Sequence, residues 1–137
     1  MAHQAFPVEV LTPEGEVFSG DVEMLSTKTL VGSIGILAHH EPVLAALAPT
    51  ELRLYRSETD IVRLAQAEGY LQFADNHALV LIEEAHAPES LDRAELEARL
   101  ADARGAVERA TPGSEAEARA QRDMRRVEAF LGVAAGA

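Results

Sequence analysis

At Ala87-Pro88 the spacing of apolar residues changes, and with it the kind of structure the chain can build. Before that point apolar and polar residues alternate in short runs, each ended by turn-forming residues. After it, apolar residues recur every three or four positions in a background of Ala, Glu, Arg and Leu, which are strong helix formers. The first pattern buries one face of a strand, the second one stripe of a helix. The chain is therefore expected to be α+β: an antiparallel β-sandwich over residues 1–87, then an antiparallel two-helix hairpin over residues 88–137.

Within the first unit, Phe6 to Leu11 alternates, and Thr12-Pro13-Glu14-Gly15 has the chemistry of a tight turn into Val17-Phe18. Ser19-Gly20 is expected to break that run. Val22, Met24 and Leu25 then lead into a β-prone segment, Ser26 to Val31. Glu51 to Arg56 and Ile61 to Ala65 alternate around the polar turn Ser57 to Asp60, and Gly69 starts another pair that bends at Asp75-Asn76. So many short strands bury one face each by stacking as two sheets.

Gly32 to Pro42, Gly-Ser-Ile-Gly-Ile-Leu-Ala-His-His-Glu-Pro, reads as a short strand between tight bends. Gly32 and Gly35 allow backbone angles that a side chain forbids, Ile34, Ile36 and Leu37 call for burial, and Pro42 has no N–H to give a ladder. Val43 to Leu47, apolar throughout and bounded by Pro42 and Pro49, fits a buried strand or a single turn.

In the second unit Ser90 is the expected N-cap of a helix from about residue 89 to 109 with a stripe of Leu96, Leu100, Ala103 and Val107. Thr111-Pro112-Gly113 breaks the chain, and Ser114 with Glu117 makes a capping box for a second helix. Its stripe is Ala120, Met124, Val127 and Leu131, with Gly132 as a stop.

Charge narrows the functions open to the chain. Twelve Lys and Arg against 23 Asp and Glu leave −11, which repels nucleic acid and anionic lipid. The charge is uneven: residues 1–87 hold 13 acids and 4 bases, and residues 88–137 hold 10 acids and 8 arginines. Arg119, Arg122, Arg125 and Arg126 nearly line one side of the second helix, as a solvated face or as a docking face for an acidic partner. With no cysteine there is neither a disulfide nor a thiolate metal site. The first residues lack a basic start and an apolar core, and no run approaches the ~20 apolar residues of a membrane helix, so any membrane link is expected to pass through a partner.

No catalytic constellation emerges. Neighbouring residues of a strand point to opposite faces, which separates His39, His40 and Glu41 as metal ligands and Glu83 from Glu84 as paired carboxylates. Ser33 lacks the Gly-x-Ser-x-Gly frame and following helix of a nucleophile elbow. Periodicity and composition alone fit a free-standing adaptor as well as a subunit of a larger machine.

The ordered set Val17-Phe18-Ser19-Gly20, Gly32-x-x-Gly35-Ile36-Leu37-x-x-His40-x-Pro42, Leu47-Ala48-Pro49, Glu68-Gly69-Tyr70-Leu71, Val80-Leu81-Ile82 and Leu91-Asp92, ahead of an alanine-rich hairpin, resembles the epsilon subunit of the rotary F-type ATP synthase. That resemblance spans essentially the whole chain. It implies a non-catalytic central-stalk subunit without cofactor or metal, at the cytoplasmic face of the bacterial plasma membrane. Its implied partners are the gamma subunit, the c-subunit ring and, through extended helices, the alpha/beta catalytic head. It also implies that a loop holding Gly32, Ser33 and His40 contacts gamma or the ring, and makes Arg122, Arg125 and Arg126 candidate contacts with the head. Ser33 stands where the family often has an acid, and Ala38 where it usually has proline. Some members bind ATP through Ile/Leu-Asp-x-x-Arg-Ala; here Glu95 takes the arginine's place and Leu96 the alanine's, so no nucleotide site is expected.

Overall fold

The computed structural model describes residues 3–136; Met1, Ala2 and Ala137, the outer ends of the two expected units, lie outside them. Alternation and turn chemistry act together from the start. Strand β1 (Phe6–Thr12) buries Phe6, Val8 and Val10 and pairs antiparallel with β2 (Gly15–Val22). Ser19-Gly20 does not break β2, contrary to expectation. Gly20 pairs with Val8, and a side chain there would come into ordinary contact with the Phe18 ring, 3.5 Å away.

Strands β3 (Met24–Thr29), β4 (Gly32–Leu37), β5 (Val43–Leu47), β6 (Thr50–Tyr55), β7 (Ile61–Gln66), β8 (Gly69–Ala74), β9 (His77–Ile82) and the short β10 (Ala85–His86) follow. They form one hydrogen-bonded path, β10-β7-β6-β3-β5-β8-β9-β1-β2, with β4 added to β3. The path doubles over where β3 meets β5 through a single residue pair, Thr29 with Leu47, so two layers face each other. Among the described residues every pairing is antiparallel except that of β1 with β9, which is parallel. The core between the layers is aliphatic, with Phe6 set edge-on to Phe73 at 5.6 Å. Buried Gln66 is satisfied: it accepts from the Thr27 hydroxyl at 2.7 Å and donates to the Ala48 carbonyl at 2.8 Å.

The Gly32–Pro42 stretch is a strand and a turn, with one glycine required and one not. Gly32 has φ of 140°, whereas Gly35 has no positive φ. Ile36 is buried and Ile34 half-buried, but Leu37 is exposed, and Val43–Leu47 is a strand whose Leu44 also faces out. His39 sits in the turn after β4 with φ of 65°, so the argument that strand neighbours diverge does not apply there. Even so, no group of metal-ligating side chains occurs among the described residues.

A 3-10 turn at Pro88–Ser90 leads to helix α1 (Arg93–Arg109). Ser90 is not its cap; its hydroxyl donates to the Ala87 carbonyl, and Asp92 accepts from the backbone N–H groups of Ala94 and Glu95 at 2.9 and 3.3 Å. The helix thus begins about one turn later than expected. Gly113 (φ 79°) reverses the chain, and Ser114 accepts from the N–H of Glu117. Glu117 reaches back to Gly113 rather than to Ser114, which shifts the capping box by one residue. Helix α2 (Glu115–Gly136) continues through Gly132, since no left-handed residue or proline ends it there. It lies along α1 and packs on β6 and β7.

Candidate functional site

Two features of the surface are built by the fold rather than by any local motif. The first is a face of the β5-β8-β9-β1 layer that turns away from the core. Cross-strand partners place Ala46, Tyr70, Leu81 and Leu11 in one row, and Leu44, Gln72, Leu79 and Glu9 in the next, which is apolar only in part. The row is extended at its end by the β3–β4 turn, because the N–H of Leu30 donates to the Ala46 carbonyl at 3.1 Å. In that turn the Thr29 hydroxyl accepts from the Val31 N–H and donates to the Gly32 carbonyl, holding Val31 outward. Leu30, Val31, Leu44 and Tyr70 remain 69%, 98%, 73% and 58% exposed. An exposed apolar row on so strongly charged a chain is a candidate contact face.

The second feature is an ionic cluster between sandwich and hairpin. Gly69 sets it up locally: a side chain there would meet Leu81 O and, at 2.7 Å, Ile82 Cα, so only glycine lets β8 and β9 close at this point. Backbone bonds from Ala67 to Glu84 (2.9 Å) and from Glu83 to Glu68 (3.1 Å) continue that pairing. They bring Glu68 and Glu84 side by side under the helices. Arg99 of α1 donates to both oxygens of Glu84 at 3.0 and 3.1 Å and to Asp123 of α2 at 2.7 Å. Arg126 of α2 donates to Glu84 Oε2 at 3.1 Å and forms a fork with Glu68. His86 adds a 2.7 Å contact to Glu84 and stands edge-on to Phe130 at 5.4 Å.

Burial pushes the Glu84 carboxyl up, but the hydrogen bonds and charges of Arg99 and His86 outweigh it and bring the pKa down to about 2. The hydrogen bond to Glu84, against the opposing cost of burial and with help from Asp123, raises that of Arg99. For Arg126 burial lowers the pKa, and Glu68 with Glu84 more than restore it. Both guanidinium groups are firmly charged. Beneath them lies an apolar contact of Ala65 and Ala67 with Leu96, Leu100, Val127, Phe130 and Val133.

The six residues singled out from sequence do not form one site. Gly32 and Ser33 lie at the start of β4, beside the exposed Leu30-Val31 turn. His40 lies past the other end of that strand, about 20 Å away at the rise of an extended chain, edge-on to Phe73. A single loop carrying Gly32, Ser33 and His40 is therefore replaced by two ends of one strand. Arg122 and Arg125 line a cleft of about 330 Å³ with Leu30, Pro49 and Tyr70, next to the apolar face. Arg126 turns inward to Glu68 and Glu84 and is absent from that outer surface. A larger cleft of about 770 Å³ between the helices and the sandwich is lined by Glu68, Glu83, Asp102 and Asp123 as well as by Arg119, Arg122 and Arg126, so acids balance its arginines. Glu95 stands exposed in the first turn of α1.

Phe130, Val133 and the Glu84 cluster were missed in the sequence. A wide apolar arc, Val127, Phe130, Leu131, Val133 and Ala134, was the available signal for the first two. For Glu84 no local signal exists, because its arginine partners lie 15 and 42 residues away.

Among the described residues no helix is long and apolar enough to cross a membrane. Residues 5–88 match the family model described as the ATP synthase delta/epsilon chain β-sandwich domain. The ATP synthase epsilon chain of Halalkalibacterium halodurans is 34% identical over 125 residues, covering 90% of this chain and 87% of that relative. That of Persephonella marina is 38% identical over 95 residues, 69% of each chain. Among solved structures, a chain in the cryo-EM structure of the Euglena gracilis mitochondrial ATP synthase (OSCP/F1/c-ring, rotational state 1) superposes with a TM-score of 0.78 at 18% identity, over 93% of this chain and 80% of that one. One from the central stalk/c-ring structure of the Tetrahymena thermophila mitochondrial enzyme gives 0.59 at 19% identity, over 98% and 99%. The structural likeness bears on fold, and the sequence matches carry the kinship: this chain belongs to the ATP synthase epsilon-chain family.

Proposed function

We propose that the chain is a non-catalytic rotor part of a proton-translocating ATP synthase at the cytoplasmic face of the bacterial plasma membrane. Its sandwich docks on the gamma subunit and the c-subunit ring, and its hairpin, when extended, reaches the alpha/beta head and slows ATP hydrolysis. The observation that carries this reading is the apolar face of Leu30, Val31, Leu44, Tyr70 and Leu81 on a chain of charge −11, a surface made for a protein partner. The relatives' names and the central-stalk and c-ring assemblies in which similar folds occur support it. Docking needs neither nucleic acid nor insertion into lipid, and no nucleotide belongs to the reading, since Glu95 replaces an arginine and acids line the larger cleft.

The test is co-purification with a gamma-type stalk subunit. Leu44→Glu with Tyr70→Glu places two charges on the exposed row without touching the core, and is expected to weaken that complex at least tenfold while the thermal transition of the free chain stays put. Retained binding would remove the face from the interface. For the hairpin, deleting residues 88–137 is expected to raise the hydrolysis rate of the assembled complex, and so is replacing Arg122, Arg125 and Arg126 together by alanine. An unchanged rate in both at low salt would leave the hairpin without a braking role.

A further inference from the structure

We infer that Glu84 is the latch that holds the hairpin on the sandwich, through Arg99 on one helix and, together with Glu68, through Arg126 on the other, one of the arginines the extended hairpin would use. The inference rests on the braking role proposed above for its regulatory meaning, but not for the latch itself. A single carboxylate of the sandwich takes a donor pair from Arg99 on α1 and a further bond from Arg126 on α2, so both helices are tied to one residue. Glu68 and Asp123 complete the pairing, and the four side chains from Glu68, Glu84, Arg99 and Arg126 are all about two-thirds or more covered. Half-buried charges of this kind cost little while paired and much when one partner is withdrawn. Opening the hairpin returns every member to water, so removal of Glu84 penalises the docked state and leaves the open state unaffected.

The consequence is competition. In the docked chain Arg125 is exposed and Arg122 holds an exposed pair with Glu115 of its own helix, while Arg126 is held against the sandwich by Glu68 and Glu84, so Arg126 joins the other two only after those contacts break. Latching and braking use the same guanidinium group, and the two states exclude each other chemically as well as sterically.

The chain has no cysteine, so labels placed at introduced cysteines, one at exposed Thr59 in the β6–β7 turn and one at exposed Glu128 on α2, report hairpin opening in the full-length protein. Glu84→Gln is expected to raise the open-to-docked ratio about tenfold to a hundredfold, the size of effect that lost charged hydrogen bonds produce. Asp60→Asn, which neutralises an exposed pair with Arg56, is expected to leave it unchanged. Combining Glu84→Gln with Arg126→Gln should cost less than the two separately. If Glu84→Gln disturbs the sandwich, Arg126→Gln alone gives the same reading from the other partner. An open fraction within twofold of the parent in both variants overturns the latch. In the assembled enzyme the opened variant is expected to hydrolyse ATP more slowly; opening without slowing would keep the latch and refute the brake, and no opening with a brake still lost on deletion would do the reverse.

Discussion

The two halves of this molecule are held together by different means. In the sandwich, Phe6, Val8, Val10, Leu25, Ile36, Leu52, Leu54, Leu71 and Val80 are wholly buried between the two layers, and the connecting turns are fixed by their own chemistry. In the hairpin, Val127 and Phe130 alone reach that level of burial; the rest of the docked surface is the nearly buried Leu96, Leu100 and Val133, alanine, partly covered Leu91, Met124 and Leu131, and ion pairs. Apolar burial between layers can be lost only by unfolding, whereas a contact made of a few side chains and charges can be exchanged for water or for another protein. In the role proposed for this chain, the first kind would keep one half in place and the second would let the other go.

The comparison breaks most severely at Gly69. Gly69→Ala drives a methyl group into the β9 backbone at Leu81 and Ile82, a rigid neighbour, and is expected to cost more than about 3 kcal/mol and to collapse the urea midpoint of the sandwich itself. A sandwich that kept its midpoint would mean that β8 and β9 can part without loss. Phe130→Ala sharpens the contrast instead. It removes a fully buried ring from the hairpin side, which in a closed core costs about 3–5 kcal/mol, yet here it is expected to release α2 rather than unfold the strands. Amide exchange should quicken in α2 and not in β8 or β9; equal acceleration in both would make the two halves one cooperative unit.

The smallest effect comes from acid. Because Glu84 titrates below its ordinary value of 4.5 in the docked state, its contribution is complete above that value and is lost as pH falls towards about 2. Hairpin docking should therefore be weaker near pH ~3 than near pH ~6. The Glu84→Gln variant, which keeps the other contacts of the cluster, should show a shallower slope than the parent. A parent protein with no slope across that range would separate Glu84 from docking.

How far these properties could be read in advance depended on how local their causes are. The hairpins of β6–β7 and β8–β9 were legible because Ser57 to Asp60 and Asp75-Asn76 carry their turn geometry in themselves, the latter with φ of 51° and 57°. Gly20 and Gly132 misled for the same reason: glycine is a poor strand and helix residue, but Gly20 pairs on both sides of the expected break and α2 has packing enough to run through Gly132. The single stripe expected on α2 assumed a single neighbour. With α1 on one side and β6 and β7 on another, the helix needs a second set of contacts, and Phe130 and Val133 supply it. At the candidate site, spacing put Arg119, Arg122, Arg125 and Arg126 nearly on one side of α2, but the inward turn of Arg126 was set by Glu68 and Glu84, remote in sequence and adjacent only after β8 and β9 have paired.

The one parallel pairing fixes an order of events during synthesis. Val8 lies against Ala78 and Val10 against Val80, so β1 cannot find its second neighbour until nearly all of the sandwich has been made. Until then β1 has only β2, and a lone two-stranded ribbon is barely stable in water. Closure is a late, long-range step of the kind that slows folding. The hairpin, translated after the sandwich, reaches the surface of β6 and β7 as that closure becomes possible, and so meets a docking site that has only just come into being.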